Sequence, residues 1–205
     1  MSTVPLSSIA AIASGLSIPE AIRHVPGGRF HILSPRHIDD GGRPFIYDDQ
    51  IHAMRMDLDE RLAKRAEAYR VNPGDVVFMS RGEKNRAAVI RRCPTDTIAP
   101  VAFFIIRPKD STVSADYLAW YLNQVPAQAF IAQHRTGAGT PLVQRHSFGE
   151  LPVALPSVAK QRSIAHLGEL MLRERSVVER LGAIIAARNR VLGQTIINTM
   201  SLAEY

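Results

Sequence analysis

Two short stretches of the chain concentrate side chains of the kinds that hydrogen-bond to DNA. Residues 80–86 (SRGEKNR) offer Arg, Lys and Asn in one loop, and Arg pairs bidentately with guanine while Asn pairs with adenine. Residues 133–147 combine Arg, His, Thr and Ser with two glycines, which let a backbone approach a phosphate closely. The sequence therefore predicts DNA contacts from ten residues, namely Ser80, Arg81, Lys84, Asn85, Arg86, Arg135, Thr136, Gly137, Arg145 and His146.

Both stretches also have a simpler interpretation, a solvated hairpin loop for 80–86 and an ordinary glycine loop for 133–147. The 21 arginines, against four lysines, and the net charge of +6 favour partners with phosphate oxygens or guanine edges. A GC-rich genome raises arginine content everywhere, however, so bulk charge decides nothing by itself. The position of the cations within the two stretches carries the argument.

No catalytic or metal-binding set accompanies these loops. The seven histidines are scattered without metal-ligand spacing, and a single cysteine, Cys93, excludes a zinc–thiolate cluster. The sequence contains no phosphate-binding loop and no G-x-S-x-G nucleophile motif. The acidic residues Asp57, Asp59 and Glu60 are interpreted as a solvated charge run. We therefore expect neither catalysis nor a bound metal on this chain.

The loops must be held by a domain that mixes strands and helices. Three apolar, β-rich runs predict strands, and two amphipathic runs predict helices. The loop 80–86 would connect the first two strands, so the expected fold class is α+β, a globular domain of mixed strands. The predicted strands are 76–79, 87–90 and 99–106, and the predicted helices are 115–123 and 127–134.

The texture of the sequence changes at Pro156, after which there is no proline. We place a domain boundary here, with a domain over 1–155 and a helical segment over 156–205. In this segment apolar residues recur every seven positions, which is typical of a coiled-coil seam. One row holds Ile164, Met171, Val178, Ile185 and Leu192, a second holds Leu170, Val177, Ile184 and Val191, and Leu167 and Leu181 belong to a third.

A single helix over 162–199 would be roughly 57 Å long, whereas a domain of 155 residues is about 39 Å across. The helix would then overhang its own domain, and its apolar stripe would need a partner. The alternative is a helical hairpin broken at Gly182 or Gly193 and packed on the same domain. We expect a long coiled-coil helix that dimerises through Ile164, Met171, Val178, Leu181, Ile185 and Leu192.

Short segments also form an ordered pattern over most of the chain. They are VPLSSIA (4–10) before SG (14–15), VNPGDVV (71–77), SADYL (114–118), the loop 136–139, and GELPVALP (149–156) before Gln161 and IA (164–165). In this order, and with a long helix after Pro156, the chain resembles one half of the DNA-specificity (S) subunit of type I restriction-modification systems.

The resemblance implies a target-recognition domain over 1–155 followed by a spacer and dimerisation helix. S subunits of this family usually hold two recognition domains, joined by helices that pair antiparallel, and bind a two-part DNA site. They do no chemistry, because modification (methyltransferase) subunits methylate with S-adenosylmethionine and a restriction subunit cleaves with ATP. The implied partners are therefore double-stranded DNA, a methyltransferase subunit and a restriction subunit, with no cofactor on this chain.

The 205 residues are about half of what that architecture needs, so we expect a homodimer that reads an interrupted inverted repeat. The single cysteine, the absence of a signal-like start and the lack of any long apolar run predict a cytoplasmic protein without a membrane span. One alternative is a stand-alone dimeric DNA-binding regulator or orphan adaptor without a methyltransferase partner. Another is a protein-interaction module whose basic surface is a compositional accident.

Overall fold

The computed structural model describes residues 3–18, 23–35, 38, 54–137 and 139–202, and it has the expected α+β class. Its helices are α1 (Leu6–Ile9), α2 (Glu60–Ala66), α3 (Ala115–Leu122), α4 (Val125–Gln133), α5 (Arg145–Gly149) and α6 (Val158–Leu202). Its strands are β1 (Thr3–Pro5), β2 (Ala10–Ser14), β3 (Phe30–Ile32), β4 (Met54–Met56), β5 (Val76–Met79), β6 (Ala87–Val89), β7 (Thr97–Ile98), β8 (Phe103–Pro108), β9 (Arg135–Thr136), β10 (Leu142–Val143) and β11 (Pro152–Ala154).

An antiparallel sheet in the order β2-β8-β5-β6 forms the centre of the domain. Side chains alternate between the two faces of a strand, so Val76 and Phe78 belong to one buried cluster and Val77 to another. A second sheet, in the order β4-β3-β7, lies beside it, and β1 pairs with β11. Because both faces of β5 are buried, the strand carries a continuous apolar run, and its prediction is confirmed.

One side chain caps the first residue of the edge strand β6. Asn123, just after α3, accepts a hydrogen bond from the Ala87 N–H through Oδ1 (3.0 Å) and donates one from Nδ2 to the Ala87 carbonyl (2.8 Å). The amide thus makes the pair of bonds that a neighbouring strand would make. This contact fixes α3 to the strand that follows the loop 80–86.

The strand predicted over 99–106 is only partly correct, because β8 covers its second half while residues 99–102 belong to no strand. Thr97 and Ile98 form β7 and pair with β3, whereas β8 begins only at Phe103. Pro100 lacks an N–H and cannot continue a ladder, and its carbonyl accepts a bond from the Phe103 N–H at 2.9 Å. The other predicted strands and the two predicted helices are present with bounds shifted by one or two residues.

Helix α6 runs for 45 residues without a break, which is about 68 Å at 1.5 Å per residue. It continues through Gly182 and Gly193, so the alternative of a broken hairpin is wrong. Between 177 and 199 every residue is exposed except the half-buried Gly193. In the described part of the chain, no helix combines the length and the apolar content that crossing a membrane requires.

The first turns of α6 are fixed to the domain by a buried glutamine. Gln161 is fully buried; its Nε2 donates to the carbonyls of Thr112 (2.9 Å) and Pro156 (2.8 Å), and its Oε1 accepts from the Ser114 N–H (2.9 Å). Both N–H groups of the side-chain amide donate and its oxygen accepts. These three bonds fix the position at which the helix leaves the domain.

About two turns further on, α6 approaches α3 at a glycine. A Cβ on Gly168 would lie 2.2 Å from Cδ1 of Trp120, so only glycine permits this helix spacing. The boundary between 155 and 156 falls between β11 and α6 and stays a prediction, because these first turns of α6 pack on the domain.

Candidate nucleic-acid interface

The two loops singled out in the sequence lie side by side beyond the end of β5. The Val143 N–H donates to the Ser80 carbonyl (2.8 Å), and the Gly82 N–H donates to the Pro141 carbonyl (2.8 Å). Between these bonds, Arg81 forms an antiparallel bridge with Leu142. Strand β10 therefore pairs with β9 on one side and with residues 80–82 on the other. We call this joined surface, residues 80–86, 135–137 and 139–143, the two-loop surface.

The outer side of the two-loop surface is basic. Arg81 and Lys84 are exposed on the first loop, where Glu83 is the single acidic residue, and Thr136 and Gly137 are exposed on the second. Gly137 has a φ of +99°, a conformation that glycine adopts readily and other residues rarely do. The structure thus brings four of the ten predicted contact residues together where DNA can reach them.

Ser80 and Asn85 lie beneath this surface. They are only 3% and 2% exposed. The Ser80 hydroxyl donates to the Ala102 carbonyl (3.1 Å), and Asn85 Nδ2 donates to the Met79 carbonyl (2.7 Å). Their polar groups hold the two ends of the loop in place. The predicted base contact of Asn85 has no support in this burial, because its amide is directed at the protein backbone.

Arg86 is directed to a different part of the molecule. Its carbonyl accepts the Met79 N–H (2.8 Å), while its side chain lines a groove of about 560 Å³ between α3, β6 and α6, together with Trp120 and Arg162. Its Nε is buried and finds no hydrogen-bond partner among the described residues. The structure therefore separates Arg86 from the exposed cations of its own loop.

Arg145 and His146 form a third location, at the start of α5. Both are exposed, and Arg145 Nη1 donates to the Ile12 carbonyl on β2 (3.4 Å). They line a shallow depression of about 450 Å³ that also contains Lys109, whose Nζ donates to the Ser7 carbonyl (2.7 Å). Sequence reasoning missed Lys109, because the lysine stands alone after a strand and only the fold brings it to α5.

Several arginines outside these surfaces have structural partners. Arg107 makes two 2.9 Å bonds to the Asp75 carboxylate and a third, at 2.7 Å, to the Arg70 carbonyl. Arg91 pairs with Asp116 at 2.8 Å. Part of the arginine excess therefore stabilises the fold, so the net charge by itself does not indicate a DNA-binding surface.

The lone cysteine has no feature of a reactive thiol. Burial, and after it the negative charge of Asp75, raise the pKa of Cys93 above its usual value. A raised pKa keeps the thiol protonated at neutral pH and weakens it as a nucleophile. Among the described residues, no group of three histidine, cysteine or acidic side chains could hold a metal ion.

The residues predicted for dimerisation separate into two groups. Met171, Val178, Leu181, Ile185 and Leu192 are exposed on α6. Ile164 instead packs against the hydrophobic core of its own domain. It lies on the same seven-residue row, but at this point of the helix the domain covers it, so the exposed part of the row begins at Met171.

Comparison with known proteins identifies the fold. No family model matches the chain, and no curated protein does so significantly. Among solved structures, the type I restriction-modification S subunit of M. genitalium aligns over 81% of this chain with 11% identity and a TM-score of 0.53. The HsdS subunit of Thermoanaerobacter tengcongensis aligns over 87% with 16% identity and a TM-score of 0.59.

A third structure, from work on the assembly and conformational transition of a type I restriction-modification system, aligns over 96% of the chain with 15% identity and a TM-score of 0.68. The chain spans 37%, 39% and 44% of the three solved chains. The resemblance found in the sequence is therefore confirmed for the fold: this chain has the architecture of rather less than half of a type I S subunit, a sheet-rich domain followed by a long helix.

Proposed function

We propose that this protein is a sequence-specific DNA-recognition subunit of a type I restriction-modification system. The observation that carries the proposal is the alignment of 96% of the chain with a chain of such a system. The basic two-loop surface supports it independently, because a loop pair that reads DNA needs exposed cations on a rigid backbone.

On the two-loop surface, Arg81 is the arginine whose side chain is exposed, and we assign it to a base edge or a phosphate. Lys84 acts as a point charge for the DNA backbone, and the Thr136 hydroxyl and the Gly137 backbone lie close enough to add phosphate bonds. Arg145, His146 and Lys109 on the third location form a further phosphate contact. None of these groups does chemistry, so methylation with S-adenosylmethionine and ATP-driven cleavage belong to partner subunits in the cytoplasm.

The exposed rows on α6 support pairing with a second copy. Large apolar side chains from Leu167 to Ile197 are between 42% and 65% exposed, and burying such area is favourable by about 25 cal/mol per Å². In an antiparallel pair that sets Val178 against Ile185 of the other copy, Met171 meets Leu192 by the same spacing. The two domains would then lie at opposite ends of a rod and read the two halves of an interrupted inverted repeat. The methyltransferase subunit docks on this dimer.

The test begins with binding of duplex DNA across a series of salt concentrations. We expect binding at low salt that weakens steeply as salt rises, because each phosphate contact releases counterions. Undetectable binding at low salt would contradict DNA recognition and favour the protein-interaction module.

The second step maps DNA methylation in the native host with and without this gene. Loss of a two-part methylated motif supports a specificity subunit. Duplex binding with an unchanged methylome would instead identify the stand-alone regulator or orphan adaptor. Co-purification of an identified modification subunit, abolished by ending the chain after Ser176 so that the docked turns of α6 remain, would place docking on the exposed part of the helix.

A further inference from the structure

The first loop of the two-loop surface is held at two of its carbonyls by side chains from the segment α4–β9. Arg135 Nη2 donates to the Glu83 carbonyl at 2.7 Å. Gln128 Nε2, on α4, donates to the Asn85 carbonyl at 2.9 Å. Lys84 stands between these two carbonyls, so its backbone is fixed on both sides by partners from another part of the chain.

The bond from Arg135 extends the backbone contacts between the loops. Those contacts end at the bond between Gly82 and Pro141, and residues 83–85 lie beyond them. Arg135 sits in β9, paired with Val143, so its guanidinium starts from a backbone position that the hairpin fixes. The Arg135 side chain thus bonds the two loops at Glu83, just beyond the last backbone hydrogen bond between them.

The surroundings of Arg135 also distinguish it from Arg81 and Lys84. Both of those side chains are exposed, whereas Arg135 is half-buried, and its Nε is buried without a hydrogen-bond partner among the described residues. An arginine that contacted phosphate would present its fork to solvent. In Arg135, Nη2 already donates to the Glu83 carbonyl, and Nε is buried away from solvent.

We propose that Arg135 and Gln128 are positioning residues that set the sequence preference of the two-loop surface without touching DNA. By fixing residues 83–85 they hold Lys84, and with it Arg81, at the position from which bases and phosphates are contacted. This inference rests on the proposed DNA-recognition function. It also reassigns Arg135, which the sequence alone placed among the DNA contacts.

The first experiment needs no DNA and measures hydrogen exchange at the amides of residues 82–86 and Val143. We expect Arg135→Ala to speed exchange at these amides about fivefold, the effect of losing one ordinary hydrogen bond, while amides of β5 and β8 keep their rates. Unchanged exchange in the loop would overturn the proposal.

The second experiment measures affinity for target and non-target duplexes against salt. For Arg135→Ala we expect the ratio of the two affinities to fall about tenfold, as for one lost base contact, with an unchanged salt slope on non-target DNA. The matched variant Lys84→Ala should lower that slope by about 0.9, the value for one phosphate contact. A slope that falls by the same amount in Arg135→Ala, with the ratio unchanged, would make Arg135 a phosphate contact and overturn the proposal.

Gln128→Leu provides a second variant if Arg135→Ala unfolds. It leaves every cation in place, so a drop in the affinity ratio with an unchanged salt slope again supports positioning, and an unchanged ratio overturns the assignment of Gln128. If the wild-type protein binds no duplex at low salt, the proposed function fails, and the exchange experiment alone still decides whether Arg135 holds the loop.

Discussion

The two faces of α6 invert the usual distribution of residues between interior and surface. On the face that packs on the domain the buried residues are small or polar, namely Gln161, Ala165, Gly168 and Ser176, with Ile164 partly buried beside them. The opposite face exposes leucine, isoleucine, valine and methionine along most of the helix. Soluble proteins rarely expose a continuous apolar stripe of this length without a partner.

The difference teaches that the two faces are specified by different physics. The docked face needs close approach and exact hydrogen bonds, which glycine and glutamine provide, so it defines the direction of the helix. The apolar face makes non-directional contacts whose strength grows with the area buried, so it favours association with another helix. One face of α6 thus sets the direction of the helix relative to its domain, and the other face favours binding to another helix.

The largest effect is expected from charges on the apolar face. Changing Val178→Asp together with Ile185→Asp should convert a dimer into a monomer, because an uncompensated buried carboxylate costs about 3–5 kcal/mol. Light scattering at micromolar concentration should then report the 22.6 kDa of one chain instead of twice that mass. The control Arg190→Asp lies on the other side of the helix and should leave the mass unchanged. If light scattering shows that the wild-type protein is a monomer, the apolar face of α6 is not a dimer interface.

The next effect tests the docked face. Gln161→Leu leaves two carbonyls and one N–H of the junction without partners, and unsatisfied buried groups cost about 1–3 kcal/mol each. We expect the free energy of unfolding, measured in urea, to fall by about 3 kcal/mol. Gln194→Leu is the matched control, since Gln194 bonds only to exposed Asn198 on its own helix, and it should change stability by less than about 0.5 kcal/mol.

A smaller effect distinguishes two glycines of the same helix. Gly168→Ala forces a methyl group against Trp120, and overpacking costs about 1–3 kcal/mol, partly offset by up to about 1 kcal/mol of helix propensity. We expect a net loss of about 1 kcal/mol in thermal or urea unfolding. Gly182 has open space around it, so Gly182→Ala should stabilise the helix. Equal effects of the two changes would contradict the close contact between α3 and α6.

Much of the architecture could be predicted from the sequence because its signals are local or periodic. The apolar run of β5 and the seven-residue rows of α6 are visible without any knowledge of their neighbours. The late start of β8 at Phe103 depends on how the chain passes from the second sheet to the first, and Pro100 is the local sign that the strand does not begin earlier. The burial of Ile164 could not be predicted from the seven-residue spacing. That spacing is the same along the whole helix, whereas the domain covers only the first turns of α6.

The candidate site was predicted in composition but not in arrangement. The pairing of residues 80–82 with Pro141 and Leu142 is a backbone contact across 60 positions, and such contacts leave no pattern in side-chain types. For the same reason the sequence could not tell that Asn85 bonds to the Met79 carbonyl, that Arg86 lies in the groove beside α6, or that Arg135 reaches Glu83. The residue types indicated that these side chains can form hydrogen bonds. Only the fold shows which of them already bond to other groups of the protein.

The single amide of Asn123 has a consequence for edge-to-edge association through the central sheet. Without it, the Ala87–Val89 strand would present an open row of backbone donors and acceptors, the kind of surface on which chains aggregate edge to edge. The Asn123 amide occupies both outward backbone groups of Ala87, so this position of the edge is no longer open to another strand. The cap thus disfavours β-stacking at this edge, whereas on α6 the spacing of side chains, rather than the uniform backbone, would decide which partner fits.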